Sequence, residues 1–389
     1  MRIAQVNSYF YPFMIGGAEW YVYNMSRELV KAGHDVTVFT ADRYGKRTAP
    51  SEETVEGIHV KRIPLKLDWS YRLKLWDGLS KSLRQGSFDI IHTYDYAQRH
   101  SIDALEAARA SGVGTALTIF DVHSSIPRSW YKQLPMRYLD GYYARRTFPL
   151  ATRILVRAPD LVKGLPDLGS CESKVRVSPS GVRPESFSRF DGDEFKRRHY
   201  IEGSPVVLYL GRLNPLKGPQ FIVEAAPRLL KEFPGAAFVF VGPDQSGLRE
   251  RLQARAKELG VLAHVYFTGM IDDFEEKMQA YSSCDVFCLP TSYEGTSQAV
   301  FEAMTQGKPV VATNTGGIPY QIEDGKEGHL VNYGDVPALT EMIAQTLRDP
   351  SKATEMGARG RERVMGFQYP KLAAGLQEIY QEITQQVGN

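Results

Sequence analysis

Cysteine is scarce in this 389-residue chain: Cys171, Cys284 and Cys288 are too few for a disulfide framework. The two close ones lie in SSCDVFCLP without His or acidic residues at zinc spacing, so reduced, buried thiols are expected and no metal site. Long apolar runs are also missing. None approaches the ~18 residues that a membrane helix needs, and MRIAQVNSYF lacks the charged-then-apolar layout of a signal peptide. A cytoplasmic location is the resulting expectation, with peripheral contact at the cytoplasmic face of the membrane left open. Neither the Rossmann spacing G-x-G-x-x-G nor the Gly-Lys-Ser/Thr ending of a Walker loop occurs, and Gly242 to Gly247 in VGPDQSG does not supply it.

What is present is a globular composition, 43% hydrophobic, 24% charged and 11% aromatic, which excludes a disordered or collagen-like chain. The length calls for two domains. A net charge of +2 hides an asymmetry, since residues 1–190 hold 27 Lys and Arg against 19 Asp and Glu, and the remainder 20 against 26. An amino half this basic attracts anionic partners, unless it is only uneven surface charge.

Short β-rich runs alternate with helical patterns: RIAQVNS, a helix from about Glu19 to Ala32, HDVTVFTA, FDIIHT, a helix near Ala104 to Ser111, GTALTIF and TRILVRA. PVVLYLG, AAFVFVG, HVYFTG, DVFCLP and KPVVATN repeat the grammar. Strands with helices between them predict βαβ units, and hence an α/β chain of two doubly wound, Rossmann-like domains with parallel sheets. The turn-rich, charged stretch from Val182 to Ser204 marks the junction. The expected division is 1–185, 186–366 and a terminal helix in 367–389 that packs back across to the first domain. Ligands of open parallel sheets sit beyond the carboxyl ends of the strands, so two facing sheets place the site in a cleft between them.

Three stretches at strand ends carry chemistry. Gly16 and Gly17, between the first strand and its helix, let backbone approach a ligand near free helix N–H groups, although a flexible loop with a capping Glu19 reads equally well. In Gly211-Arg212-Leu213-Asn214-Pro215-Leu216-Lys217-Gly218-Pro219 a guanidinium and an ammonium follow a strand, the arrangement a diphosphate leaving group needs. Tyr293-Glu294-Gly295-Thr296-Ser297 then runs into a helix containing Glu302 and ending near Gly307. With Ser297 as N-cap, the Gly295, Thr296 and Ser297 amides form an anion seat flanked by Glu294 and Glu302. Capping plus a surface salt bridge is the plainer alternative.

In this order the GGAE loop, GRLNPLKG, FTGMIDD, the Glu294-x7-Glu302 pair and AMTQGKPVVATNTGGIPYQIEDGKEGHLV resemble the retaining glycosyltransferases of family 4, which have the GT-B fold. The resemblance implies Arg212 and Lys217 as ligands of the donor diphosphate, Glu302 of the ribose and Glu294 of the transferred sugar. It implies that Gly16 and Gly17 approach the donor phosphate and the acceptor. It further implies a nucleotide-sugar donor, no metal and no other cofactor. Where the family often has Glu-Gly-Phe-Gly, this chain reads Glu294-Gly295-Thr296-Ser297. The family's histidine after the strand GTALTIF falls on His123 or, in the other alignment, on Phe120; His123 is preferred, and Asp121 next to it could cap a turn.

The function expected is transfer of a hexose to an acceptor saccharide, lipid-linked acceptor or polysaccharide precursor. A GT-B epimerase and a non-catalytic nucleotide-sugar-binding protein are the alternatives. LKLDWSYRLKLWDGLSKSLR and IPRSWYKQLPMRYLDGYYARR mix basic and aromatic residues, which makes an anionic membrane surface a candidate partner. Leu65, Trp69, Leu73 and Trp76 recur at roughly helical spacing, so core packing fits them as well. No nucleic-acid-binding motif accompanies the charge.

Overall fold

A computed structural model describes residues 1–14, 16–68, 74–120, 130–166, 168–244 and 247–388. The chain divides into two units, Met1–Gly181 with Tyr369–Asn389, and Val182–Gln368.

The strands of the first unit are β1 (Arg2–Val6), β2 (Asp35–Ala41), β3 (Arg43–Tyr44), β4 (Arg47–Thr48), β5 (Glu52–Val55), β6 (Ile58–Ile63), β7 (Leu65–Asp68), β8 (Lys74–Trp76), β9 (Ile90–Tyr94), β10 (Gly114–Ile119), β11 (Arg153–Val156) and β12 (Val175–Val177). Eight of them form one sheet in the order β12-β11-β10-β9-β1-β2-β6-β5. All neighbours in it are parallel except β5, which turns back on β6 through Glu56 and Gly57, both at positive φ as a tight hairpin demands. Every residue of β9 and β10 is buried, the pattern of a parallel sheet covered on both faces.

Helix Gly17–Lys31 was expected to begin at Glu19 and instead starts at the second glycine. Helical spacing misled for Leu65 and Trp76. They face each other across the antiparallel ribbon β7–β8, both buried, and so belong to the core; Trp69 and Leu73 lie outside the described residues.

The terminal helix, Tyr369–Gly388, packs on this first unit. It buries Tyr369, Ala373, Leu376, Tyr380 and Ile383, which recur at three- and four-residue steps along one face. Ile383 lies so close to Gly114 that a Cβ there would sit 2.3 Å from its methyl. The Tyr380 hydroxyl meets His92 Nδ1 at 2.6 Å, while His92 Nε2 meets Thr118 Oγ1 at 2.7 Å. Burial, aided by Arg157, pushes the His92 imidazole down to about 3, so the ring is neutral.

The second unit holds β13 (Val206–Leu210), β14 (Ala237–Val241), β15 (Val265–Gly269), β16 (Val286–Leu289), β17 (Val310–Thr313) and β18 (Gly328–Val331), all parallel in the order β15-β14-β13-β16-β17-β18. Helices such as Pro219–Glu232 and Val336–Arg348 cover it with one apolar face each. Pro219 takes the first helical position, where its missing N–H costs nothing.

Candidate active site

In the second sheet β13 has β14 on one side and β16 on the other, so successive connections leave in opposite directions from this point. The carboxyl ends at such a reversal frame a crevice. Arg212 and Lys217 follow β13, and Glu294 follows β16.

The first of these loops is rigid for local reasons. Asn214 accepts the Leu216 N–H at 2.9 Å, Pro215–Lys217 makes a single turn, and Gly218 sits at φ +75°. A Cβ on Gly218 would lie 1.9 Å from the Pro290 carbonyl, so only glycine lets this loop close on the end of β16. The Ser292 N–H donates to the Leu216 carbonyl at 2.7 Å, tying the two loops together. Lys217 Nζ then reaches Glu294 Oε1 at 2.5 Å, and neither side chain is more than 22% exposed. The Tyr209 hydroxyl donates to the Arg212 carbonyl at 2.7 Å. Its phenol is pushed up first by burial and then by the Glu294 charge, with the Arg212 charge opposing, so both ions lie within its electrostatic reach.

Glu294 stands in the loop before helix Gln298–Thr305, and Ser297 caps that helix by accepting the Val300 N–H at 3.4 Å. One of the three amides expected to form an anion seat is bonded within the protein. The Ser297 N–H donates to Gln321 Oε1 at 2.7 Å, and Gln321 Nε2 returns a bond to the Ser297 carbonyl at 2.8 Å, so this amide is already consumed. The same backbone is backed by Gly316 and Gly317, to which the sequence reading assigned no role. The Gly317 N–H donates to the Glu294 carbonyl at 2.9 Å. A Cβ on Gly316 would fall 1.8 Å from the Glu294 oxygen, and one on Gly317 1.7 Å from that of Gly295. The paired glycines in TNTGG were the available signal.

Glu302 lies within the helix and is 5% exposed. Its Oε1 accepts from Lys277 Nζ at 2.7 Å and from Gln298 Nε2 at 3.2 Å, and its Oε2 accepts from the Tyr281 hydroxyl at 3.0 Å. Burial and the neighbouring carboxylate hold the Tyr281 phenol well above its ordinary value, so it remains a donor. Each of the two glutamates therefore carries a lysine partner, Lys217 for Glu294 and Lys277 for Glu302.

In the first unit Gly16 is extended at φ −168° and caps helix Gly17–Lys31 with its carbonyl, while Glu19 stands in the first turn. His123 and Asp121 lie outside the described residues. Phe120, the alternative to His123, stacks on Tyr94 with ring centres 5.7 Å apart, meets Tyr21 edge-on, and has the Arg157 guanidinium 5.4 Å from its ring centre. Phe120 packs, partly buried, against the core of the first unit. All three cysteines are free and buried; burial pushes the Cys284 thiol up to about 12 and raises that of Cys288 as well. Among the described residues, no three His, Cys, Asp or Glu side chains converge as metal ligands, and no helix is long and apolar enough to cross a membrane.

Two family models cover most of the chain: Glycosyltransferase Family 4 matches residues 15–186, and Glycosyl transferases group 1 matches residues 191–363. At 27% identity, the D-inositol 3-phosphate glycosyltransferase of Nocardia farcinica aligns with 94% of this chain and 84% of its own length. The MMP alpha-(1->4)-mannosyltransferase of Mycolicibacterium hassiacum aligns at 28% identity over 98% of both. Sucrose-phosphate synthase from Thermosynechococcus elongatus shares the fold with a TM-score of 0.78 at 22% identity, over 99% of both chains. Anabaena HepE in complex with UDP does so with a TM-score of 0.79 at 18% identity, over 98% of this chain and 100% of its own. The fold is GT-B, with two Rossmann-like units. The chain belongs to the family 4, group 1 glycosyltransferases.

Proposed function

We propose that the protein transfers a hexose from a nucleotide-diphosphate sugar to an acceptor hydroxyl with retention of configuration and without a metal ion. The observation that carries this reading is the meeting of Lys217 and Glu294, 77 residues apart in the chain, at the reversal point of the second sheet, with Arg212 on the same loop as Lys217. Relatives named as mannosyl and inositol-phosphate glycosyltransferases, and a structural neighbour in complex with UDP-glucose, support it.

The donor is assigned to the second unit. Arg212 offers a planar fork to diphosphate oxygens and Lys217 a point charge. When diphosphate arrives, Lys217 exchanges its carboxylate partner for phosphate, and Glu294 is released to accept hydrogen bonds from the sugar hydroxyls. The Gly295 and Thr296 amides face the anion, and Glu302 accepts from the ribose. The acceptor is assigned to the first unit, with Gly16, Gly17 and His123 near it. Cation and amide donors stabilise charge on the leaving group, which is where most of the rate acceleration arises. The bond between the anomeric carbon and the diphosphate oxygen breaks with its electron pair on the diphosphate. The acceptor oxygen bonds to the same face, and its proton passes to the departing diphosphate.

A panel of nucleotide sugars screened by thermal stabilisation identifies the donor, because a ligand that binds only the folded state raises stability by ~2.7 kcal/mol at a hundredfold excess over its Kd. Proton NMR of the product from an α-linked donor should show an α-linkage, with activity surviving chelator. A β-linked product, or activity lost in chelator and restored by Mg²⁺ or Mn²⁺, overturns the mechanism.

Peripheral contact with an anionic membrane is part of the same proposal. The basic–aromatic stretch on helix Trp130–Thr147 supplies exposed apolar groups, since Leu134, Tyr138, Leu139 and Tyr142 all face solvent beside the exposed Arg137 and Arg146. Rings and stems of this kind enter the headgroup layer while the guanidinium groups meet lipid phosphate. Binding to phosphatidylserine vesicles should rise with anionic lipid and fall with salt. A protein that stays in the supernatant at low salt refutes the contact.

A further inference from the structure

The carboxylate assigned to ribose carries an unusual load before any ligand arrives. Lys277 and Tyr281 stand one turn apart on helix Phe274–Ser282, a helix started by the Asp273 cap on the Glu276 N–H at 2.8 Å. Residues at this spacing share one helix face. Together they grip the two oxygens of Glu302, Lys277 Nζ on Oε1 and the Tyr281 hydroxyl on Oε2. Tyr281 is fully buried and Glu302 nearly so, whereas the Lys277 side chain retains 25% exposure. Anything that approaches Glu302 Oε1 from solvent therefore meets the Lys277 ammonium beside it.

We propose that Lys277 is a specificity-determining residue that works with Glu302 as an ammonium–carboxylate pair recognising the vicinal diol of a ribonucleoside diphosphate. The inference rests on the donor-site reading above and deepens it. A hydroxyl is one donor and an acceptor with two lone pairs. Glu302 by itself can satisfy only the protons of a diol, and three donors already occupy part of its roughly four lone-pair positions. The hydroxyl oxygens still need donors. The ammonium has three N–H groups, of which Glu302 takes one, and the Phe274 ring lies 6.0 Å away at its centre. Lys277 can thus donate to the oxygens of both hydroxyls, while the remaining lone-pair position of Glu302 accepts a proton from one of them. A nucleotide lacking one hydroxyl leaves a donor or acceptor of this pair unmatched beneath the bound ligand, which a polar site penalises.

The test is calorimetric titration of UDP, GDP and ADP into the full chain, followed by the 2′-deoxy and 3′-deoxy forms of the tightest of them. The wild type should prefer the ribonucleotide by at least ~10-fold, the size of one hydrogen-bond mismatch at about 1.4 kcal/mol. Lys277→Met keeps the apolar stem and removes the donor. It should weaken the ribonucleotide about 10-fold, weaken each deoxy form, which keeps one hydroxyl, clearly less, and so shrink the preference. Lys277→Arg should restore the preference in part. Lys277→Gln, which keeps a neutral donor for Glu302, serves if the methionine variant fails to fold, and it should shrink the preference as well. An equal loss for ribo- and deoxynucleotides, or an unchanged preference in a folded variant, overturns the role of Lys277 and leaves the donor site standing. A wild type that binds none of the three diphosphates overturns the donor site, and this inference with it.

Discussion

Replacing Gly317 by alanine should damage sugar transfer out of proportion to its effect on folding. The backbone at Gly317 has φ −93°, which alanine accepts, so no conformational strain enters. The added methyl, however, would stand 1.7 Å from the Gly295 carbonyl oxygen and 3.0 Å from Thr296 Cγ2. Comfortable contacts to carbon begin near ~3.5 Å, so the Gly295–Thr296 peptide, next to Glu294, must retreat by ~1 Å or more. Overpacking of this kind costs ~1–3 kcal/mol of stability. The displacement also carries the Glu294 carboxylate with it, and misplacement of a positioning group by ~1 Å can lower turnover ~100-fold. The assay is kcat/KM for transfer together with calorimetric Kd values for the donor and for its sugar-free diphosphate. Because Glu294 is assigned to the sugar, the donor should lose more affinity than the bare diphosphate. Gly366→Ala is the control, since nothing lies within 4 Å of a Cβ there. Wild-type transfer by a folded Gly317→Ala protein would refute the view that these two glycines hold the carboxylate in place.

Three further outcomes are expected. Arg212→Ala and Lys217→Ala should each lower kcat by ~100-fold or more, the scale of losing one charge-stabilising donor, and wild-type turnover in both would remove the phosphate assignment. Glu302→Gln should weaken the nucleotide with or without its sugar, whereas Glu294→Gln should spare the bare diphosphate; calorimetry giving identical losses for both ligands in both variants would mean the roles are misassigned. Burial lowers His92 to about 3 and His100 to about 4, so below the unfolded value near 6.5 the unfolded chain binds protons that the folded chain refuses. Stability from these two rings is complete above that pH and declines as pH falls, down to about 4 for His100 and about 3 for His92, by ~1.4 kcal/mol per pH unit for each ring over its own range, which His92→Gln should partly flatten in acid-unfolding curves followed by circular dichroism.

Features that depend on near neighbours along the chain were legible without the fold. Runs such as PVVLYLG and DVFCLP are strands because β-branched and aromatic residues suit a pleated, covered surface, and they appear as β13 and β16. Ser297 and the helix behind it were legible for the same reason, because a cap and the amides it serves lie within four residues. Arg212, Lys217 and Glu294 could be singled out as charges that follow strands, and Glu302 as a second acid in the helix behind Ser297. Their partners could not. Lys277 and Glu302 are 25 residues apart, Ser297 and Gln321 are 24, and His92 and Tyr380 are 288. Periodicity says which face of an element turns inward, and strand order and register then decide what that face meets. Thus Gln321 occupies an amide that spacing had left free for an anion, and Leu65 and Trp76, at helical spacing, pair across two strands. The tight contacts of Gly218, Gly316 and Gly317 with carbonyl groups of other loops belong to the same class. A glycine in a sequence signals that something comes close, and only the assembled sheet shows which carbonyl it is.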